Sequence, residues 1–169
     1  VGQVLLTRSD FDHRARFLNI RNCINHLLDL DCIPILNEND TVAVDEIRFG
    51  DNDLLAAMTA NALRADALIL LTTVPGLLDE KGKVIDRIDD VIEVLSLAKR
   101  GKGARSDWGS GGMLSKLEAA RLVAEAGEIA VIADGREKDI LHRLLAGEKL
   151  GTLFVPATEK LSSRQRWIG

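Results

Sequence analysis

The chain has 169 residues, 28% of them charged and 46% hydrophobic, with a formal net charge of -4. That is the composition of a single folded domain of ordinary size and excludes a disordered tail. Aromatic residues are only 4%, tyrosine is absent and the charge balance is acidic, so no nucleic acid partner is expected: base stacking needs aromatic platforms and backbone wrapping needs a basic field. No apolar run approaches the ~18 residues of a membrane span, and the start lacks a basic-then-apolar signal segment. Cys23 and Cys32 are too few for a disulfide framework and lack the second pair that zinc needs. Both are expected to be buried thiols in a reducing cytoplasm.

In chain order, Val4-Leu5-Leu6 reads as a buried strand at the very start, which suggests a piece of something longer. Thr7 to Asp10 carries loop and cap residues. Phe17, Ile20, Ile24, Leu27 and Leu28 recur at helical spacing and predict a helix over 15–30. Ile33-Pro34-Ile35-Leu36 predicts a short buried strand, with proline at its start. Two alternating runs, 41–44 and 46–49, predict a hairpin. Gly50-Asp51-Asn52-Asp53 opens a helix with Asp51 or Asn52 as N-cap, carried on by Leu54, Leu55, Met58 and Ala62.

Ala67 to Leu71, apolar on both faces, predicts a central parallel strand. A turn at Lys81-Gly82-Lys83 precedes a short strand at Val84 and Ile85, and Val91, Ile92 and Leu95 mark a helix over 89–99. Residues 100–112 form a basic, glycine-rich loop. A helix over 113–126 ended by Gly127, a strand over 129–132, a helix over 138–146 and a strand over 152–155 complete the chain. Alternating strands and helices predict an α/β fold: three layers, α/β/α, around a mostly parallel open sheet with helices on both faces.

Open α/β sheets bind ligands beyond the carboxyl ends of their strands. Three polar clusters fall at such places: Asn37-Glu38-Asn39-Asp40, Gly50-Asp51-Asn52-Asp53 and Thr72-Thr73. Each also reads as ordinary turn or cap chemistry. Gly109-Ser110-Gly111-Gly112-Met113-Leu114-Ser115-Lys116 puts small residues before a helix start, where free N–H groups and the helix dipole favour an anion. Lys116 lies one turn in and can swing back to a phosphate; a flexible connector ending in a solvated lysine is the bland reading. The G-x-x-x-x-G-K-[ST] loop is absent. His13, His26 and His142 lack metal-ligand spacing, so no protein-held metal is expected, and no G-x-S-x-G elbow supports a serine hydrolase.

Taken together, Ile35 to Asp40, Phe49 to Asp53, Leu70-Leu71-Thr72, Gly109 to Met113 with Lys116, Gly151 to Phe154 and Arg164 to Ile168 resemble the glutamate 5-kinases of the amino acid kinase family. The motifs follow one another along nearly the whole chain, and the N-E-N-D and G-D-N-D pair separates it from the uridylate and acetylglutamate kinases. The resemblance implies ATP-dependent phosphorylation of the side-chain carboxylate of L-glutamate, the first committed step towards proline. It implies that Asp40 and Asn52 bind glutamate with Asn37 and Asp51 nearby. It implies that Asp53 orients the catalytic lysines. It implies that Thr72, Thr73 and Ser110 to Lys116 (Ser110, Gly111, Gly112, Met113, Leu114, Ser115, Lys116) hold ATP, with Mg2+ as cofactor, and that Lys116 neutralises charge on the transferring phosphoryl group. It further implies a cytoplasmic enzyme that is a homo-oligomer when intact.

Two departures stand out. Thr73 occupies a position where the family usually has aspartate. The family's N-terminal phosphate loop and its C-terminal RNA-binding-like domain have no counterpart here, so the chain is expected to be the second half of a kinase domain, inactive alone. A non-catalytic nucleotide-binding module, a degenerate fragment of the same fold and another small-molecule kinase of the family stay open as alternatives.

Overall fold

The structure, a computed structural model, describes residues 1–39, 41–42, 52–100 and 111–156. The chain begins with β1 (Gly2–Leu6), a one-turn α1 (Ser9–Asp12) and α2 (Arg14–Asp29), then β2 (Pro34–Glu38). α3 (Asn52–Leu63) leads through a tight connection into β3 (Ala67–Thr72). β4 (Arg87–Ile88) and α4 (Val91–Arg100) follow. α5 (Gly111–Glu125) turns directly into β5 (Ile129–Asp134), and α6 (Ile140–Leu145) and β6 (Thr152–Phe154) close the described chain.

The strands form two sheets. β1 and β2 pair in parallel, Gly2 opposite Pro34 and Leu6 opposite Glu38. The second sheet has the order β3-β5-β6-β4. β3 and β5 are parallel, as are β4 and β6, while β5 and β6 are antiparallel. The predicted α/β class holds, with three parallel strand pairs and one antiparallel pair among the described residues.

The larger core lies on one face of the four-stranded sheet. Leu70, Ala130, Ile132 and Phe154 project from the strands against Ala57 and Ala60 of α3, Val91 and Leu95 of α4, and Leu117, Ala120 and Val123 of α5. Alanines at these contacts let the helices lie close to one another and to the sheet, so several of these side chains are wholly inaccessible. A second cluster joins Leu6, Phe11, Ile20 and Ile24 to Leu55 and Ala62 of α3. α3 therefore bridges both cores. Gly127 (φ +87) ends α5 in the left-handed region. Gly151 (φ +76) has no room for a Cβ, which would collide with the Ile132 carbonyl oxygen.

Several expectations change. β3 is an edge strand, pairing only with β5 among the described residues. Its two apolar faces are explained by alternation: Leu68 and Leu70 meet the helices, and Ala67, Ile69 and Leu71 face the other way. Val84 makes a single bridge to Leu78, and the paired strand falls at Arg87–Ile88 instead. The strands at Val4–Leu6 and Ile33–Leu36 are buried on one face only: Leu5, Ile33 and Ile35 are exposed. Cys23 is exposed on α2 and Cys32 half-buried, so the expected pair of buried thiols is not what forms. Thr41 and Val42 sit in a turn, Val42 N–H donating to the Asn39 carbonyl at 3.1 Å. The rest of the predicted hairpin lies outside the described residues, as does the loop 101–110.

Candidate active site

Helices that run straight into parallel strands must travel back along the sheet. The starts of α3 and α5 therefore lie towards the carboxyl ends of β3 and β5, where open sheets place their ligands. α3 and α5 pack on each other, and this contact brings two predicted site residues together. Lys116 Nζ donates to Asp53 Oδ2 at 2.7 Å, with the two side chains only 16% and 17% exposed. Ser115 Oγ donates to the same carboxylate oxygen at 3.3 Å. One carboxylate thus gathers an ammonium and a hydroxyl from the first turns of the neighbouring helix. Among the described residues, Asp53 takes one of the three donors that an ammonium carries.

The first turn of α5 has no acidic residue of its own, and the positive end of the helix dipole favours an anion there. Gly112 is exposed and a Cβ on it would meet nothing, leaving the backbone open to approach. Met113 and Leu114 pack their side chains against the larger core. What those two can offer a ligand is backbone N–H, the group that binds phosphate at helix starts. Gly111 is the first residue of α5, and Ser110 lies outside the described residues.

Thr72 and Thr73 close β3. The Gly135 N–H donates to the Thr72 carbonyl at 2.8 Å, which ties this turn to the end of β5. Arg136 Nη2 donates to the Thr73 carbonyl at 2.6 Å while pairing with Asp134 Oδ2 at 2.6 Å. The guanidinium and backbone N–H of Arg136 hold the Asp134 carboxyl down to about 2. Asp134, Gly135 and Arg136 were not among the residues singled out from the sequence. The rule that selected the other clusters, polar residues just beyond an apolar strand, selects this one too.

On the other side of α3, Asn52 is exposed at the helix start. Asn37 is exposed near the end of β2, on the same face as Ile33 and Ile35. Asn39 N–H donates to the Leu6 carbonyl at 2.8 Å, joining the ends of β1 and β2, and its side chain accepts from Thr41 Oγ1 at 2.6 Å. Asp40 and Asp51 lie outside the described residues. Among the described residues no three His, Cys, Asp or Glu side chains converge as a metal site, and no helix is long and apolar enough to cross a membrane.

Comparison with known proteins gives this geometry a context. Residues 1–133 match the sequence profile of the amino acid kinase family. Glutamate 5-kinase of Gloeobacter violaceus is 49% identical over 177 aligned residues, which take in 100% of this chain and 47% of that protein. Glutamate 5-kinase of Thermotoga maritima is 44% identical, covering 99% of this chain and 46% of the relative. The chain thus spans about half the length of the curated relatives it matches. Among solved structures, carbamate kinase from Giardia lamblia bound to citric acid superposes on 81% of this chain and 43% of its own, with a TM-score of 0.58 and 24% identity. UMP kinase from Bacillus anthracis covers 91% of this chain and 58% of its own, with a TM-score of 0.53 and 17% identity. These two likenesses concern the fold. With four-fifths of its length matched by the family profile and the same fold in its structural neighbours, the chain belongs to the amino acid kinase family.

Proposed function

We propose that the protein transfers the γ-phosphoryl group of ATP to the side-chain carboxylate of L-glutamate, giving glutamyl 5-phosphate and ADP, the first step towards proline. This chain would supply the nucleotide side of the site and part of the glutamate side. The observation that carries the reading is 44–49% identity, along essentially the whole chain, to proteins named glutamate 5-kinase. The Lys116–Asp53 pair beside the start of α5 supports it chemically.

The acceptor carboxylate is ionised at neutral pH, so no general base is needed. The barrier is lowered by alignment and by compensating charge on the phosphoryl oxygens. In this reading Lys116 supplies that charge, and Asp53 is a positioning residue that fixes the ammonium. The N–H groups from Gly111 to Ser115, with Ser110, hold the phosphates, and the Thr72-Thr73 turn borders the nucleotide. Asp40 takes the glutamate ammonium and Asn52 its α-carboxylate, with Asn37 and Asp51 beside them. Mg2+ takes oxygen ligands, and phosphates with water supply most of them. The donor set here fits an ion that arrives on ATP rather than one caged by protein, and it would add further charge neutralisation. The enzyme would work in the cytoplasm as a homo-oligomer.

One observation favours a second reading, a nucleotide-binding module without turnover. Thr73 stands where family members usually carry a carboxylate, and the part of Thr73 engaged here is its main-chain carbonyl.

The test is a chimera: this chain substituted for the matching 47% of the Gloeobacter violaceus protein. It should form glutamate- and ATP-dependent acyl phosphate, trapped as the hydroxamate, and the 169-residue chain alone should form none. Loss of several preorganised donors together compounds steps of ~10²–10³ each in kcat. A folded chimera that binds ATP without turnover would establish the second reading, and robust turnover by the chain alone would refute the half-site view.

A further inference from the structure

Asp134, Gly135 and Arg136 leave β5 at the carboxyl end of the sheet, the end at which α5 begins. Thr72 and Asp134 lie opposite each other in the register of β3 and β5. A Cβ on Gly135 would sit 3.2 Å from the Leu71 Cβ, so the chain turns tightly against β3 there. The turn brings the Arg136 guanidinium to the end of β3. Its Nε donates to Asp134 Oδ1 at 2.9 Å, and its Nη2 donates to Asp134 Oδ2 and to the Thr73 carbonyl, both at 2.6 Å. The backbone N–H of Arg136 also donates to Asp134 Oδ1 at 2.9 Å.

These contacts fix the guanidinium and still leave it facing water. The side chain is 67% exposed, against 14% for Asp134. The bonds run from N–H groups in the plane of the guanidinium, so they leave its faces uncommitted. Its charge is already met by a carboxylate, so it adds little net charge for a phosphate, and phosphates have Lys116 and the start of α5. What Arg136 offers instead is a rigid flat plane, the form in which arginine stacks on aromatic rings. No tyrosine or tryptophan lies among the described residues. The phenylalanine rings there, Phe11, Phe17 and Phe154, all pack into the two cores.

We propose that Arg136 reads the base of the nucleotide: the adenine ring of ATP stacks on its guanidinium, which Asp134 and the Thr73 carbonyl hold in place. The proposal rests on the ATP-dependent reading given above and adds to it the residue that tells a nucleotide from a bare polyphosphate. Arg136 recognises a flat heterocycle, while the start of α5 recognises phosphate. Asp134 is a positioning residue in this arrangement, since it acts through the guanidinium and not on the base.

The experiment measures equilibrium binding to the full 169-residue chain, without glutamate, with ATP and inorganic tripolyphosphate as the two probes. Arg136→Ala should weaken ATP binding ~3–30-fold, the worth of one stacked cation, and leave tripolyphosphate binding unchanged. Arg136→Lys keeps the charge and loses the plane, so its loss should fall in the same range. Tripolyphosphate also serves as the control for folding, because an exposed side chain can be removed without disturbing the start of α5. Unchanged ATP affinity in Arg136→Ala, or full rescue by lysine, would overturn the proposal. An equal loss for both probes would also overturn it, by making Arg136 a phosphate ligand or a support for the turn, as would a parent chain that binds no ATP. No turnover is read, so a chimera that binds ATP without phosphorylating glutamate would sink the kinase reading and leave this one standing.

Discussion

The two sheets of this molecule are built from similar residues and end in different states. The four-stranded sheet is sealed on one face by α3, α4 and α5, with Phe154, Ile132, Leu117 and Val123 wholly inaccessible. The two-stranded sheet of β1 and β2 covers its inner face with α2 and α3 and leaves Leu5, Ile33 and Ile35 at 45%, 68% and 55% exposure on the outer one. Both its strands have an open edge among the described residues. Isolated two-stranded sheets are marginal, and open apolar edges invite association. Among the described residues, the four-stranded sheet is thus sealed on one face by its own helices, while the two-stranded sheet leaves the whole of its outer face uncovered.

Stability measurements can break this comparison. Phe154→Ala should cost about 3–5 kcal/mol, the usual penalty for emptying a packed aromatic site, read as a drop in the urea midpoint. Ile35→Ala in the same chain should move stability by only about 0.5 kcal/mol, because the side chain already faces solvent. In the chimera the same substitution should cost ~2 kcal/mol or more. A large penalty for Ile35→Ala in the chain alone would mean that the outer face of β2 is already covered, and the contrast between the two sheets would fail.

Next in size is the catalytic contrast within the site. In the active chimera Lys116→Ala should lower kcat by ~10²–10³ while leaving KM for glutamate nearly unchanged, because an ammonium on the phosphoryl oxygens acts chiefly in the transition state. A near-normal kcat would reduce the Lys116–Asp53 pair to a bolt between α3 and α5.

Much of the fold was legible in the sequence. The periodicity of Phe17, Ile20 and Ile24 located α2, and the apolar run at Ile129 to Ile132 located β5. Strand direction was not legible: three residues, Thr152 to Phe154, carry an alternation that is the same read either way, and only the tight path through α6 makes β6 antiparallel. β4, at two residues, is too short to show any period. Nor can an apolar pattern say whether its covering belongs to the same segment, which is why Ile33 and Ile35 were expected inside. In the site, Asp53 and Lys116 were both named, but their 2.7 Å contact depends on α3 meeting α5. Asp134 and Arg136 were not singled out, and their pairing with the Thr73 carbonyl depends on β3 lying beside β5.

A smaller effect separates the two ligands. Asp40→Ala or Asn52→Ala in the chimera should weaken glutamate binding ~10–150-fold, the worth of one charged hydrogen bond of about 1.5–3 kcal/mol, with ATP affinity little changed. Equal losses for both ligands would mark these residues as turn formers whose removal disturbs the whole carboxyl end of the sheet.

The smallest effect tests whether the nucleotide side really holds itself together. Arg136 is the clamp there, donating at once to the Thr73 carbonyl and to Asp134. Its partner carboxyl is held down to about 2, below the ordinary 3.8, chiefly by the side-chain hydrogen bond from Arg136. A carboxyl lowered on folding stabilises the fold above its unfolded value and loses that contribution as pH falls towards the folded one. The gain should therefore be constant above pH ~4 and drain away between ~4 and about 2, and Asp134→Asn should remove that slope from the acid limb of a stability-pH curve. The Arg136 guanidinium is largely open to solvent, so the change is small and should shrink further in high salt. Arg136→Lys keeps the charge and loses the planar fork. In the chimera it should raise KM for ATP severalfold and leave KM for glutamate alone. An equal rise for glutamate would mean that the Thr73 turn supports both sides of the site.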